Sequence, residues 1–362
     1  MILRKLSLRN FRNYDSLDLE FSASANFICG NNGQGKSNFL EAIHLLAVTR
    51  SFRPCNDRDL LKFERDHFEI SGEFVDEAQI RRHVNVCYSS ATGKEVSLDR
   101  KRLSSAAALI GVIPVVHFSP ESHRITSGPP AERRRLVDML LCQSSPAYLS
   151  DWQEYQRSLK QRNALLNQNA SAKTLAAWSE SLASYGCKII AARRRFVEAF
   201  APLVLQAYRD ISASSSSLQL TYQSQLAAGE LTPENYLKLL SASHVLEMRR
   251  KQTQVGPHRD DFVFAIESRE LRRFGSRGEH KSTLLALKMA EATYFKDKSA
   301  NAPIILLDDL QSELDAMRLA AALRHFQQFG QLFVTALAPL VEGMSANAAR
   351  YEVVAGEMQW FE

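Results

Sequence analysis

Residues Gly30-Asn31-Asn32-Gly33-Gln34-Gly35-Lys36-Ser37 fit G-x-x-x-x-G-K-[ST] at every fixed position. An apolar run, Asn26-Phe27-Ile28-Cys29, precedes them, and Phe39, Ile43, Leu46 and Ala47 follow at helical spacing. A strand–loop–helix context is what a phosphate-binding loop requires. Its glycines let backbone N–H groups converge on a phosphate at a helix N-terminus, where aligned peptide dipoles favour an anion. In that chemistry Lys36 reaches the β- and γ-phosphates, and the Ser37 hydroxyl is a ligand for Mg²⁺. Far along the chain, Pro303-Ile304-Ile305-Leu306-Leu307-Asp308-Asp309 reads as an apolar strand ending in two carboxylates. Asp308 would hold the Mg²⁺, as a Walker B carboxylate does. Asp309 falls at the position of a catalytic base. A buried strand running into an acidic turn is the alternative for this segment on its own.

These residues need a sheet to hold them. Alternating or apolar runs at 3–8, 17–21, 68–74, 83–88 and 113–118 predict strands, so the first ~120 residues read mainly as sheet. From 133 to 142, 147 to 168 and 173 to 208 the apolar spacing turns helical, with a further helix over 233–246. Ser212 to Ser217 forms a serine-rich break. Strands return at 262–266, 303–307 and 331–335, with helices over 280–296 and 316–329. The expected division is an N-terminal lobe over 1–120, a mainly helical insertion over 121–246, and a lobe over 247–362 that completes the sheet. Ser37 and Asp308 stand 271 positions apart, much further than in a compact α/β kinase or GTPase.

Composition excludes several classes. The 362 residues are 45% hydrophobic and 23% charged, as in ordinary soluble globular proteins. No apolar stretch approaches the ~20 residues of a membrane span, and no secretory cleavage pattern stands at the N-terminus, so the expected location is cytoplasmic. The five cysteines are scattered, without a C-x-x-C pair, and read as reduced core thiols rather than a zinc site or a disulfide framework. Net charge is +5. That modest excess is concentrated in Arg81-Arg82, Arg133-Arg134-Arg135, Arg193-Arg194-Arg195, Arg249-Arg250-Lys251 and Arg272-Arg273, which points to a polyanionic partner.

Gly275-Ser276-Arg277-Gly278-Glu279-His280 opens an apolar-periodic helix about 30 residues before the acidic strand end. A Ser-x-Gly helix start can hold a phosphate through its hydroxyl and free N–H groups, or it can simply cap the helix. Its position resembles that of an ABC-type signature loop, which serves the nucleotide of a second, head-to-head subunit. Ser312-Glu313-Leu314-Asp315 looks like the D-loop of the same class, and Thr335 stands where that class places a switch histidine. An aspartate at 309, where many such ATPases carry glutamate, suggests slow turnover. No glutamine is assigned to a Q-loop.

Over nearly its whole length the chain resembles the RecF family of bacterial DNA-repair ATPases. The carrying segments are Leu8-Arg9-Asn10-Phe11-Arg12-Asn13-Tyr14, the phosphate loop, Thr49-Arg50-Ser51-Phe52-Arg53 and Phe118-Ser119-Pro120-Glu121. Gly128-Pro129-Pro130-Ala131-Glu132-Arg133-Arg134-Arg135, the Leu159 to Leu166 run and Val255-Gly256-Pro257-His258-Arg259-Asp260-Asp261 complete them. Ser122-His123-Arg124 and Glu279-His280 depart from the family pattern. The resemblance implies an α/β fold, an ABC-type (Rad50/SMC-like) ATPase head split by an inserted helical domain. It implies ATP and Mg²⁺ as cofactors and an ATP-dependent homodimer, each nucleotide lying between Lys36 of one subunit and Ser276 and Gly278 of the other. Arg12 and Asn13 would lie near the purine or ribose. The family acts on DNA, double-stranded and at single-strand gap junctions, without sequence preference, and helps RecO and RecR mediators load RecA. The Gly256 to Asp261 segment reads as a structural junction, with a substrate contact as the alternative. Competing classes are a transporter-type ABC ATPase subunit, a small-molecule kinase and a nucleotide-stabilised scaffold.

Overall fold

A computed structural model describes residues 1–212, 217–226, 230–299, 301–314, 316–337 and 348–361. The chain divides into two compact units, Met1–Ser122 with Leu285–Glu362, and His123–Leu284. Residues 247–284 therefore belong with the second unit, beyond the boundary expected at 246. The reason is strand pairing: Asp261–Ile266 lies antiparallel to Leu218–Gln223 on one side and Arg269–Glu270 on the other.

Among the described residues, the first unit is built on two six-stranded sheets. One is antiparallel, in the order Tyr14–Glu20, Ile2–Phe11, His67–Val75, Arg81–Ser89, Gly93–Leu98, Lys101–Arg102. Its strands alternate cleanly, Phe68, Ile70 and Phe74 being buried while Glu69 and Glu73 are exposed, as a sheet with one wet face requires. The other sheet runs Glu357–Phe361, Ala349–Val354, Ala25–Cys29, Leu332–Ala336, Ile304–Leu307, Val115–Phe118 and is parallel apart from its terminal hairpin. Ala25–Cys29, Ile304–Leu307 and Leu332–Ala336 are buried at every position, the pattern of strands covered on both faces.

The order of the parallel sheet positions the site. The strand entering the phosphate loop and the strand ending in Asp308 are separated only by Leu332–Ala336, so all three finish at the same edge. Ligands of parallel sheets bind beyond such carboxyl ends. The loop's helix, Lys36–Val48, is buried almost all round. Its Phe39 ring meets Phe21 at 5.7 Å and Phe333 at 6.1 Å between centroids, fastening the helix to the sheet. Each fully buried Phe contributes about 1.5–3 kcal/mol.

The second unit is helical apart from its three-stranded sheet, with helices Pro130–Ser144, Pro146–Asn167, Ala172–Ser212 and Pro233–Arg250. Among the described residues no helix is long and apolar enough to cross a membrane. Four residues of the serine-rich break, 213–216, lie outside the described residues.

Candidate nucleotide site

The phosphate loop takes its shape from backbone conformations that L side chains rarely adopt. Gly30 has φ 148°, and a Cβ there would stand 2.5 Å from the Val353 carbonyl oxygen. Gly35 has φ 118°, with Asn13 Nδ2 2.5 Å from any added Cβ. Lys36 curls back across the loop, its Nζ donating to Gly30 O at 2.6 Å and Asn31 O at 2.9 Å. Burial lowers its pKa, against the opposing pull of Asp309 and Asp308.

Asp308 collects two hydroxyls on one oxygen. Ser37 Oγ donates to Asp308 Oδ1 at 2.9 Å and Thr335 Oγ1 donates to the same atom at 2.7 Å. The Thr335 hydroxyl also accepts from the Asp309 N–H at 2.9 Å. Burial raises the Asp308 pKa, and the Thr335 and Ser37 hydrogen bonds work against that rise. Asp309 has φ 50° and stands at the N-cap position of the helical turn Leu310–Glu313, without a side-chain capping hydrogen bond. A cleft of about 230 Å³ is lined by Lys36, Ser37, Asn38, Arg53, Asp308 and Asp309, with Asn32, Gly33 and Gly35.

The sequence puts Thr335 at a switch position. In the structure it is fully buried between the two aspartates, which makes it a brace for the acidic strand end. Arg12 and Asn13 do not line this cleft. The Arg12 guanidinium makes a bidentate pair with Glu41 of the loop's helix at 2.8 and 2.9 Å and donates to Asp59 O at 2.7 Å. Burial opposes its charge, but the Glu41 pairing prevails and raises its pKa. Asn13 Nδ2 donates to Gln34 O at 2.8 Å, and Tyr14 Oη donates to Gly35 O at 3.0 Å. The strand turn at 12–14 thus holds the loop and its helix.

Arg53 and Asn38 are cleft residues that the motifs do not single out. Arg53 Nη1 donates to Asn38 Oδ1 at 2.8 Å and stands 3.5 Å from Glu41. The Thr49 to Arg53 run carries the family resemblance without any residue role, and its closing arginine is the one signal that the sequence offers.

Ser276 caps the helix Arg277–Lys298 in a reciprocal box. Its N–H donates to Glu279 Oε2 at 2.7 Å, and its Oγ accepts from the Glu279 N–H at 3.2 Å. Those hydrogen bonds hold the Glu279 carboxyl below its ordinary pKa. Gly278 is exposed, and a Cβ there would meet only Ser276 Oγ, at 4.0 Å. Asp315 of the D-loop segment lies outside the described residues.

The basic clusters split by burial. Arg133 is paired with Asp261 at 2.8 and 2.9 Å, and Arg193 with Asp138 at 2.8–3.0 Å and with Pro257 O at 2.7 Å; both are buried. Arg135, Arg195, Arg249, Arg272 and Arg273 are exposed. In the Gly256 to Asp261 segment of the second unit, Gly256, Pro257 and Asp260 are buried, His258 and Asp261 half-buried and Arg259 exposed. His258 Nε2 lies 3.0 Å from Thr253 O and its Nδ1 lies 2.5 Å from Tyr155 Oη. A carbonyl only accepts, so these partners assign the proton to Nε2 and make Nδ1 the acceptor. Burial pushes the His258 pKa down to about 4.

The donor set fits a hard divalent cation held in part by phosphate. Ser37 Oγ and Asp308 Oδ1 are adjacent oxygens, and Mg²⁺ sites commonly combine one or two carboxylates with phosphate oxygens and waters. Among the described residues no group of three or more His, Cys, Asp or Glu could hold a metal by itself.

A phosphate loop and an acidic strand end joined on a parallel sheet define a P-loop ATPase head. The RecF/RecN/SMC N terminal domain family matches residues 2–358, and this chain belongs to it. The chain is 37% identical over 346 residues to the DNA replication and repair protein RecF of Chlorobium phaeovibrioides, covering 92% of this chain and 93% of that protein. It is 38% identical over 324 residues to the protein of the same name from Geobacter sulfurreducens, covering 88% of each. Among solved structures, that of the recombination mediator protein RecF with ATP in the RecFOR pathway superposes with TM-score 0.92 at 30% identity, over 100% of this chain and 98% of that one. An SMC head bound to the winged-helix domain of ScpA reaches TM-score 0.58 at 16% identity, covering 100% of this chain and 97% of that one, and shares the fold.

Proposed function

We propose that this chain is a RecF-type DNA-repair ATPase: it binds ATP with Mg²⁺, closes into a homodimer, hydrolyses ATP slowly and holds DNA at gaps and junctions. The observation that carries the reading is the hydrogen bond from Ser37 to Asp308 at 2.9 Å, which joins the loop to the acidic strand end beside Lys36. The RecF structure with ATP supports ATP as the nucleotide.

In this reading Lys36 leaves the Gly30 and Asn31 carbonyls and turns to the β- and γ-phosphates. Bound Mg²⁺ would neutralise charge shared by those phosphates, and Ser37 and Asp308 would hold it. Arg53 brings a second cation to the cleft. Asp309 orients the attacking water, with its backbone fixed by Thr335. Arg12 and Asn13 act on the nucleotide through the loop and helix that they brace. Ser276 and Gly278 of a second copy close over the γ-phosphate.

DNA contacts to phosphate oxygens need no base recognition and weaken steeply with salt. The exposed arginines Arg135, Arg195, Arg249, Arg272 and Arg273 are the candidates. RecO/RecR-like mediators are the proposed protein partners, in a cytoplasmic setting. Sedimentation of the purified protein with ATP, with ADP, and with ATP plus gapped duplex tests the reading. A dimer is expected with ATP and not with ADP, and a salt-sensitive complex with gapped DNA. A monomer under all three conditions would refute it.

A further inference from the structure

The phosphate loop is held from the far end of the chain. Ala349–Val354 and Glu357–Phe361 pair as an antiparallel hairpin, Val354 opposite Glu357, across the turn Ala355-Gly356. Both turn residues have left-handed φ, 52° and 83°, as a type I′ turn needs. The Ala355 N–H donates to Gln34 Oε1 at 2.5 Å and the Gly356 N–H donates to Gln34 O at 3.1 Å. Asn13 Nδ2 donates to that same carbonyl at 2.8 Å. Packing is close as well as bonded: a Cβ on Gly356 would stand 2.7 Å from Asn13 O. Gln34 occupies a position where the phosphate-loop motif fixes no residue type, yet here its side chain and backbone are both engaged.

We propose that Asn13, Gln34 and the turn Ala355-Gly356 form a positioning unit that sets the affinity of the phosphate loop for ATP. The converging loop N–H groups bind phosphate only in one backbone shape, and three hydrogen bonds from outside the loop fix that shape at Gln34. Linkage makes the effect reciprocal: a nucleotide that needs the ordered loop also orders the hairpin. The C-terminal hairpin, whose Trp360 is 60% exposed, thereby reports and tunes nucleotide occupancy.

The proposal rests on the cleft being an ATP site, so ATP binding by the parent chain is measured first, by titration calorimetry with Mg²⁺. A parent that does not bind ATP removes both that reading and this proposal. Gln34→Ala, which loses the bond from the Ala355 N–H, and Asn13→Ala, which loses those to Gln34 O and from Asn38, leave the hairpin backbone untouched and add no charge; they are expected to weaken ATP binding about 2- to 10-fold with little change in melting temperature. Gly356→Val is expected to weaken it further. Hydrogen exchange at the Ala355 and Gly356 amides should slow when the parent binds ATP, and that protection should shrink in Gln34→Ala. A parent that binds ATP with no change in hairpin exchange, alongside Asn13 and Gln34 variants of unaltered affinity, would overturn the proposal.

Discussion

Lys36 and Asp308 face opposite problems of burial. Each loses hydration on burial, and each is compensated in part by neighbouring charges or hydrogen bonds. Lys36→Ala is expected to weaken ATP binding about 100-fold, because two charge-assisted hydrogen bonds at ~1.5 kcal/mol each disappear; calorimetry reads this directly. Thr335→Val keeps the shape of the side chain and removes the hydroxyl that opposes the rise in the Asp308 pKa. A carboxyl with raised pKa protonates at a higher pH than an ordinary aspartate, so Mg²⁺-dependent ATP binding should fade early as pH falls. In Thr335→Val that fading should move to still higher pH, while Thr335→Ser should track the parent. Equal pH profiles for Val and Ser would remove Thr335 from the metal site. The sequence alone places this threonine at the end of its strand. Its engagement with both aspartates depends on how neighbouring strands register, which no local pattern reveals.

At the scale of elements, the helix Arg277–Lys298 carries two candidate roles for one serine. A cap and a trans contact make different demands. Ser276→Asp supplies a good N-cap, so the melting temperature should hold, whereas a carboxylate facing a γ-phosphate should abolish ATP-dependent dimerisation. Ser276→Ala removes the cap at a cost of about 1 kcal/mol. A Ser276→Asp protein that dimerises normally with ATP would leave Ser276 as a cap alone. The Ser-x-x-Glu spacing of this box is legible in the sequence, as are the long helices and the strand at 67–75 by their periodicity and the strand at 304–307 by its unbroken apolar run. The strands Gly93–Leu98, Leu218–Gln223, Ala349–Val354 and Glu357–Phe361 escape such a reading. They are short, and their partners lie far off or across a turn, so local pattern carries little of what stabilises them. The hairpin turn Ala355-Gly356 is the one local clue to the last two.

At the scale of the whole molecule, arginine runs that look alike in sequence do unlike work. Within Arg133-Arg134-Arg135 and Arg193-Arg194-Arg195, helical spacing turns the first residue into the core and the third to solvent. Which arginine is which follows from tertiary packing against Asp138 and Asp261, so the sequence counts the charges but does not sort them. Arg193→Met takes the cation from half-buried Asp138, which keeps only its hydrogen bonds from Tyr148 and Trp152, and should cost about 1.5–3 kcal/mol in denaturant unfolding. The same interior sets an acid limit. His258 has a folded pKa of about 4 against an ordinary value of 6.5. The unfolded chain therefore takes up a proton that the folded chain refuses. Its contribution is complete above pH 6.5 and disappears between 6.5 and 4, amounting to about 3 kcal/mol. His258→Gln, which can still accept from Tyr155 and donate to Thr253, should flatten that slope.

The exposed members of the same runs define the opposite experiment. Arg135→Gln and Arg195→Gln remove no buried pair, so melting should be unchanged. If either neutralises a DNA phosphate, the slope of log affinity against log salt should fall by about 0.9 per substitution on duplex DNA. Affinity should drop alike on unrelated sequences, because an ion pair with phosphate carries no base information. Arg133 and Arg193 serve as the contrast, since their substitution should lower stability without a specific change in salt slope. A slope that stays constant through substitution of every exposed arginine named here would place the DNA path on other residues. A weakening confined to one base sequence would instead show that the surface reads bases.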